Sequence, residues 1–163
     1  MISGAIFSEC RTYRYRLWRI WDSDKDEENF VNFVMLNPST ADEVKNDPTV
    51  ERCERRARAM GYGGLVVTNI FALRSTDPNW LYEHPDPVGT INDEHLISAA
   101  QEAALVVCGW GAHGAINGRG QFVMRMLKEA GATPHALKIT KGGEPGHPLY
   151  IGYGVAPRPV EAI

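Results

Sequence analysis

Phe30-Val31-Asn32-Phe33-Val34-Met35-Leu36-Asn37-Pro38-Ser39-Thr40 opens on seven nearly continuous apolar residues and then turns abruptly polar. A strand with one wet face would alternate, so the run reads as a strand covered on both faces, as in a parallel sheet sandwiched between helices. A second run of the same kind, over 65–70, ends in Thr68-Asn69 and continues into Phe71-Ala72-Leu73-Arg74. A third polar segment, Thr140-Lys141-Gly142-Gly143-Glu144-Pro145-Gly146-His147-Pro148-Leu149-Tyr150, follows a strand predicted over 134–139. Ligands of open α/β sheets bind beyond the carboxyl ends of the strands. Asn37, Asn69 and His147 are therefore expected to face one pocket.

Helical signals fill the gaps between these strands. Asp47 is a candidate N-cap, Pro48 fits the first helical position, and Gly61 closes a helix running to about Met60. Asn92 reads as the cap of a helix to about Ala103, with Asp93 and Glu94 complementing its dipole. Leu105-Val106-Val107-Cys108 is a further strand, and 116–130 a further helix stopped by Gly131. The long loop with Asp77-Pro78, Pro85 and Pro87 has room for a short helical turn, and the tail 141–163 for one short strand. Residues 4–22 predict a β-hairpin or strand pair, followed by the acidic turn Asp22–Glu28. Within it, Tyr13-Arg14-Tyr15-Arg16-Leu17-Trp18-Arg19-Ile20-Trp21 alternates large apolar residues with arginine, so one face is expected to pack and the arginine face to stay wet. That arginine face is either a guard against edge aggregation or a phosphate-contacting ridge. The whole predicts an α/β three-layer sandwich with a mostly parallel central sheet, in a single domain over 1–163.

Composition bounds the function. With 163 residues, 44% hydrophobic and 23% charged, the chain has the make-up of a globular domain. No apolar run approaches the ~20 residues of a membrane span. Arg11, Arg14, Arg16 and Arg19 interrupt any signal-peptide core, so a cytoplasmic protein is expected. A net charge of -3 argues against gripping a long duplex by charge alone. Three scattered cysteines offer no C-x-x-C pair, and five histidines show no metal-binding spacing, so neither a metal nor another cofactor is expected.

Each candidate residue has two readings. Asn37 holds a water or substrate amide, or bonds its own backbone in an Asx turn beside Pro38 and Ser39. Asn69 reads a base edge or anchors a loop. Phe71 stacks on an aromatic ligand or belongs to the core. His147 donates to a developing anion or takes a proton, or is a surface residue of a flexible loop. Arg74 is placed to bind phosphate. Gly109-Trp110-Gly111-Ala112-His113-Gly114 matches G-x-G-x-x-G, but so late in the chain it reads as a tight turn, with Trp110 and His113 lining the same crevice. Arg52, Arg55, Arg56 and Arg58, with Glu51 and Glu54, read as a solvated helix face with ion pairs.

Met35-Leu36-Asn37-Pro38-Ser39-Thr40-Ala41-Asp42, Asp47-Pro48-Thr49, Arg52-Cys53, Gly61-Tyr62-Gly63, the segment from Asn69 to Pro78, Asp86-Pro87-Val88-Gly89, Asn92-Asp93, Trp110-Gly111-Ala112-His113-Gly114 and His147-Pro148-Leu149-Tyr150 resemble the domain-of-unknown-function family numbered 1643, over residues of about 12 to 159. That resemblance carries no activity with it. More distantly, Leu36-Asn37-Pro38, Thr68-Asn69 with Arg74, and His147-Pro148 are similar, in order and spacing, to motifs of the uracil-DNA glycosylase superfamily. That second resemblance implies a glycosylase-like fold. It further implies that Asn37 positions the attacking water, Asn69 reads the base, and His147 stabilises the departing base. Ser39-Thr40 stands where that superfamily usually has Gly or Tyr after the Pro, and Leu149-Tyr150 where it has Ser after His-Pro.

The expectation is a protein that binds a nucleobase, nucleotide or nucleic acid and hydrolyses an N-glycosidic bond. Its substrate-contacting residues would be Pro38, Ser39, Asn69, Phe71, Arg74, Trp110 and His113. The alternatives are a non-catalytic module on the same fold that recognises a nucleotide, modified base or protein, and an enzyme acting on a free nucleoside or nucleotide.

Overall fold

The two apolar runs form adjacent parallel strands, and the sheet grows outward from them. In the computed structural model, which describes residues 1–24 and 29–163, the strands are β1 (Ile2–Phe7), β2 (Arg14–Ile20), β3 (Phe30–Met35), β4 (Gly64–Asn69), β5 (Leu105–Cys108), β6 (Pro134–Ala136) and β7 (Arg158–Pro159). The helices are α1 (Pro48–Ala59), the single turn α2 (Trp80–Glu83), α3 (Asn92–Glu102) and α4 (Arg119–Glu129). One mixed sheet runs β1-β2-β4-β3-β5-β6-β7. The central β4, β3, β5 and β6 are parallel, β2 and β1 add an antiparallel hairpin at one edge, and β7 is antiparallel at the other. Lys25–Glu28 of the acidic turn lie outside the described residues.

Alternate residues of the central strands feed two cores. Val31, Phe33, Met35, Leu65 and Val67 pack with Val50, Cys53 and Ala57 of α1. Val34, Val106 and Cys108 pack with Leu96 and Ala100 of α3 and with Val123 and Leu127 of α4. Both faces of the sheet are therefore covered, which is why these strands read as continuous apolar runs. Asn32, fully buried between them, donates from Nδ2 to the Val66 carbonyl (3.1 Å) and to Thr68 Oγ1 (3.2 Å), tying β3 to β4. β3 hands the chain to α1 and β4 on one side, and its other neighbour β5 hands it to α4 and β6 on the opposite side. Connections that diverge like this open a crevice beyond the strand ends.

Most local signals hold. Asp47 caps α1 by accepting from the Val50 amide (2.9 Å), Pro48 is its first residue, and Gly61 closes it at φ 88°. Four expectations need correction. Asn92 lies inside α3, with its side chain turned inward so that Nδ2 donates to the Asn69 (2.8 Å) and Ile70 (3.3 Å) carbonyls. The helix expected over 116–130 starts at Arg119, because Asn117 and Gly118, at the end of the 3-10 stretch Ala112–Gly118, take left-handed dihedrals. The strand expected over 134–139 ends at Ala136. The hairpin's arginines do not share a wet face. A bulge makes Tyr15 the extra residue, since Ile6 pairs with Arg16 but Phe7 with Arg14. Arg14 then falls on the α1 side, donating to the Ala41 carbonyl (3.1 Å), while Arg16 meets Glu102 of α3 (3.6 Å). Arg19 is buried as well, held by the Asp42 (2.7 Å), Lys45 (3.1 Å) and Trp18 (2.9 Å) carbonyls and by Asn46 Oδ1 (3.0 Å).

Past β5 the chain folds around Trp110, which is 1% exposed and donates from its indole N–H to Glu144 (2.5 Å). The glycines of the G-x-G-x-x-G stretch serve close packing. A Cβ at Gly114 would overlap the Trp110 indole, and one at Gly109 would sit 3.0 Å from Pro148. Gly114→Ala is expected to destabilise the protein by about 1–3 kcal/mol in urea denaturation, the usual cost of overpacking. A variant as stable as the parent would show that the indole has room to move.

Candidate functional site

The crevice beyond β3, β4 and β5 is a cavity of about 500 Å³. It is walled by Met35–Asn37 and Ser39 after β3, by Asn69 closing β4, by Trp110–His113 after β5, and by His147, Leu149 and Tyr150 of the late loop. Arg14 and Asp47 line it too. Of the residues singled out in the sequence, the structure brings together Asn37, Ser39, Asn69, Trp110, His113 and His147.

The others lie elsewhere. Phe71, expected to stack on a ligand, is 1% exposed and packed among Leu73, Leu81 and Leu96, so it is a core residue. Pro38 is buried and contributes only its carbonyl, which accepts from the Ser75 amide (2.9 Å). Arg74, expected at a phosphate, lines a neighbouring pocket with Arg11, Thr12 and Trp80. It lies over the Phe7 ring (4.8 Å) and donates to the Arg11 carbonyl (3.2 Å). Trp110 reaches the crevice wall, but its one donor is committed to Glu144.

The two asparagines are fixed amides, each with one end engaged. Asn37 Nδ2 donates to the carbonyls of Ser75 (2.9 Å), Pro38 (3.1 Å) and Leu73 (3.5 Å). Three facing carbonyls settle which end is nitrogen, and the oxygen, an acceptor, is the end left without a partner among the described residues. Asn69 is oriented the other way. Its Oδ1 accepts from Arg14 Nη2 (3.2 Å), which leaves the Nδ2 donors without a partner among the described residues. With its oxygen engaged, Asn69 offers the crevice a donor and not the matched donor–acceptor pair expected of a base-reading amide.

His147 is equally constrained. Its Nδ1 accepts from the Leu149 amide (3.1 Å). A backbone N–H can only donate, so the ring proton sits on Nε2 and the neutral ring presents one N–H. Burial holds the pKa below the usual histidine value, with nearby Asp47 pulling the other way. The loop carrying it was expected to be flexible, but Glu144, Pro145 and Gly146 are buried. The Gly111 amide donates to the Pro145 carbonyl (2.8 Å), and the Gly146 amide to that of Lys138 (2.8 Å).

The arginines of α1 do part of this fastening, which corrects their reading as a solvated face. Arg55–Glu51 and Arg58–Glu54 are surface i,i+4 pairs. Arg56, however, is 2% exposed and donates to the carbonyls of Val155 (2.8 Å), Ile151 (3.0 Å) and Gly152 (3.1 Å). Arg52 adds a bond to the Ile151 carbonyl (2.9 Å). Arg56→Met is expected to cost roughly 2–3 kcal/mol, because several charge-assisted bonds vanish together. Hydrogen exchange should then accelerate at the amides of 147–152; unchanged exchange there would remove Arg56 as the fastener of the His147 loop.

Among the crevice residues that sequence reasoning did not single out are Arg14, Asp47 and Tyr150. Arg14 looked like one of a row of edge arginines, and only the bulge turns it inward. Asp47 was read as a helix cap, which it is, but its carboxylate also borders the cavity. Tyr150, 86% exposed at the mouth, carried no signal beyond its neighbour His147. A cavity of similar size, about 520 Å³, lies at the β1–β2 edge, lined by Ile2, Ile6, Trp18 and Ile20. It contains none of the candidate residues, and its Arg16 is neutralised by Glu102. Among the described residues no cluster of His, Cys, Asp and Glu suits a metal ion, and no helix is long and apolar enough to cross a membrane.

The chain belongs to the family described as "Protein of unknown function (DUF1643)", whose model matches residues 14–149. Neither a curated protein nor a solved structure matches it.

Proposed function

We propose that the crevice binds a nucleobase or nucleotide and hydrolyses its N-glycosidic bond, in the manner of the uracil-DNA glycosylases that the three motifs resemble. The observation that carries this reading is the shared cavity of Asn37, Asn69 and His147, which are fixed with complementary polarity. Asn37 Oδ1, an acceptor, orients a water by one of its O–H bonds. The water oxygen bonds to the anomeric carbon as the C–N bond breaks, the bond's electron pair leaves with the base, and the proton the water gives up passes through solvent to the departed base anion. Donors then face the negative charge that develops on the base, namely Asn69 Nδ2 and His147 Nε2–H. Donors held in place before the reaction are the usual source of rate in such a step. His147 acts as a neutral donor, and its engaged Nδ1 removes it as a base. Tyr150, at the mouth, takes over the stacking role first given to Phe71.

A free nucleoside or nucleotide fits the net charge of -3 better than a long duplex does. A non-catalytic binding module is favoured by one observation, the commitment of the Asn37 amide nitrogen to three loop carbonyls, which a purely structural role also explains. A panel of nucleosides, nucleotides and base-modified oligonucleotides, assayed for released base, separates these readings. Release by the parent chain supports hydrolysis; ligand affinity with no release from any substrate leaves the binding module.

A further inference from the structure

Arg14 is 2% exposed, yet it takes part in no ion pair among the described residues. Among the described residues, two of its five N–H groups are engaged, by the Ala41 carbonyl and by Asn69 Oδ1, and its buried Nε has no partner. Burial lowers its pKa to about 10, so it stays charged at neutral pH. An uncompensated buried cation is costly, and natural proteins pair such charges. The acid whose charge acts on it is Asp47, which makes no ion pair with it and whose two oxygens accept from the Val50 (2.9 Å) and Ala41 (3.3 Å) amides. Arg14 lines the crevice, and the Asn69 Nδ2 donors next to it are unengaged.

We propose that Arg14 and Asn69 form a donor-only subsite for an anionic oxygen of the ligand. Two sources share that chemistry: the phosphate of a nucleotide, and the ionised oxygen of an acidic oxo-base. Arg14 fixes the Asn69 oxygen so that the amide turns its donors to the ligand, and supplies the charge opposite the anion. This deepens the crevice reading above by naming what the ligand carries, but it stands on Arg14 and needs no bond cleavage. Anion binding with no base release would end the hydrolase proposal and keep this one. Base release with anion affinity untouched by Arg14 would do the reverse.

The test is calorimetric titration of the full chain with inorganic phosphate, with nucleoside 5′-monophosphates beside their parent nucleosides, and with free uracil and xanthine at several pH values. If phosphate is the source, monophosphates bind more tightly than nucleosides. If an acidic base is the source, affinity for xanthine rises as the base ionises. In either case Arg14→Gln weakens the responsive probe about 10- to 100-fold, as loss of a charged hydrogen-bonding partner does, and Arg14→Lys restores part of it. The parent chain alone suffices should a variant not fold. Equal affinity for monophosphate and nucleoside together with no pH dependence for the bases overturns the proposal. So does an absence of binding by every probe, or a folded Arg14→Gln variant with unchanged affinities.

Discussion

Replacing Asn37 by alanine will lower kcat on whichever N-glycoside the protein cleaves by about 10²- to 10³-fold, the usual cost of one positioned group at a polar transition state. KM should change far less, because the water-orienting oxygen acts on the reaction and not on the ligand. Equal losses in binding and turnover would count against the role. The same substitution has a structural consequence of its own. The carbonyls of Ser75, Pro38 and Leu73 lose their shared donor, at a cost of about 1–3 kcal/mol. Asn37→Asp discriminates further. It keeps an acceptor toward the crevice but points a second oxygen at those three carbonyls, so it should be less stable than the alanine variant. Denaturant midpoints for the two variants check this ordering; a more stable aspartate variant would mean that the amide is not held as described.

His147→Leu is expected to lower turnover by a similar factor, about 10²- to 10³-fold, through loss of a neutral donor to the leaving base. The pH dependence follows from the direction of its shift. Burial keeps the folded-state pKa below the ordinary 6.5. The unfolded chain therefore binds the proton more readily, and stability rises with pH across the interval between the two values. The contribution is complete above pH 6.5 and is lost as pH falls through the folded-state value. Protonation also removes the Nδ1 acceptor from the Leu149 amide, so activity should fall over the same acid limb and stay flat above it. His95 is shifted in the same direction, by burial and then by Arg16, so the leucine variant should show a reduced acid sensitivity of stability and not its absence. Melting curves of parent and variant between pH 5 and 7.5 measure the difference, and superimposable pH profiles would rule out a buried neutral His147.

What was legible in the chain is what neighbouring residues encode. The runs at 30–36 and 65–70 announce doubly covered strands because each strand residue reports its own burial. Asp47, Pro48 and Gly61 mark the ends of α1 because caps are satisfied within one helical turn. Strand order then follows from few choices, and the crevice comes with the sheet, so Asn37, Asn69 and His147 could be placed together from sequence.

The rest depends on partners that no local window contains. Arg14 and Asn69 are 55 residues apart, and their hydrogen bond decides which end of the Asn69 amide faces the crevice. Arg52 lies 99 residues from the Ile151 carbonyl it holds, so nothing near either residue tells a clamp from a solvated helix face. A bulge one residue long moved Arg14 to the α1 side of the sheet, because period-two alternation carries no memory past an inserted residue. Phe71 entered the core because α2 and α3 close over it. The sequence by itself determined the layers, the strand ends and the kinds of side chain gathered there. Only the tertiary structure decided which donors and acceptors are already spent, since a hydrogen-bonding group is left free or engaged by whatever the fold brings to it from afar.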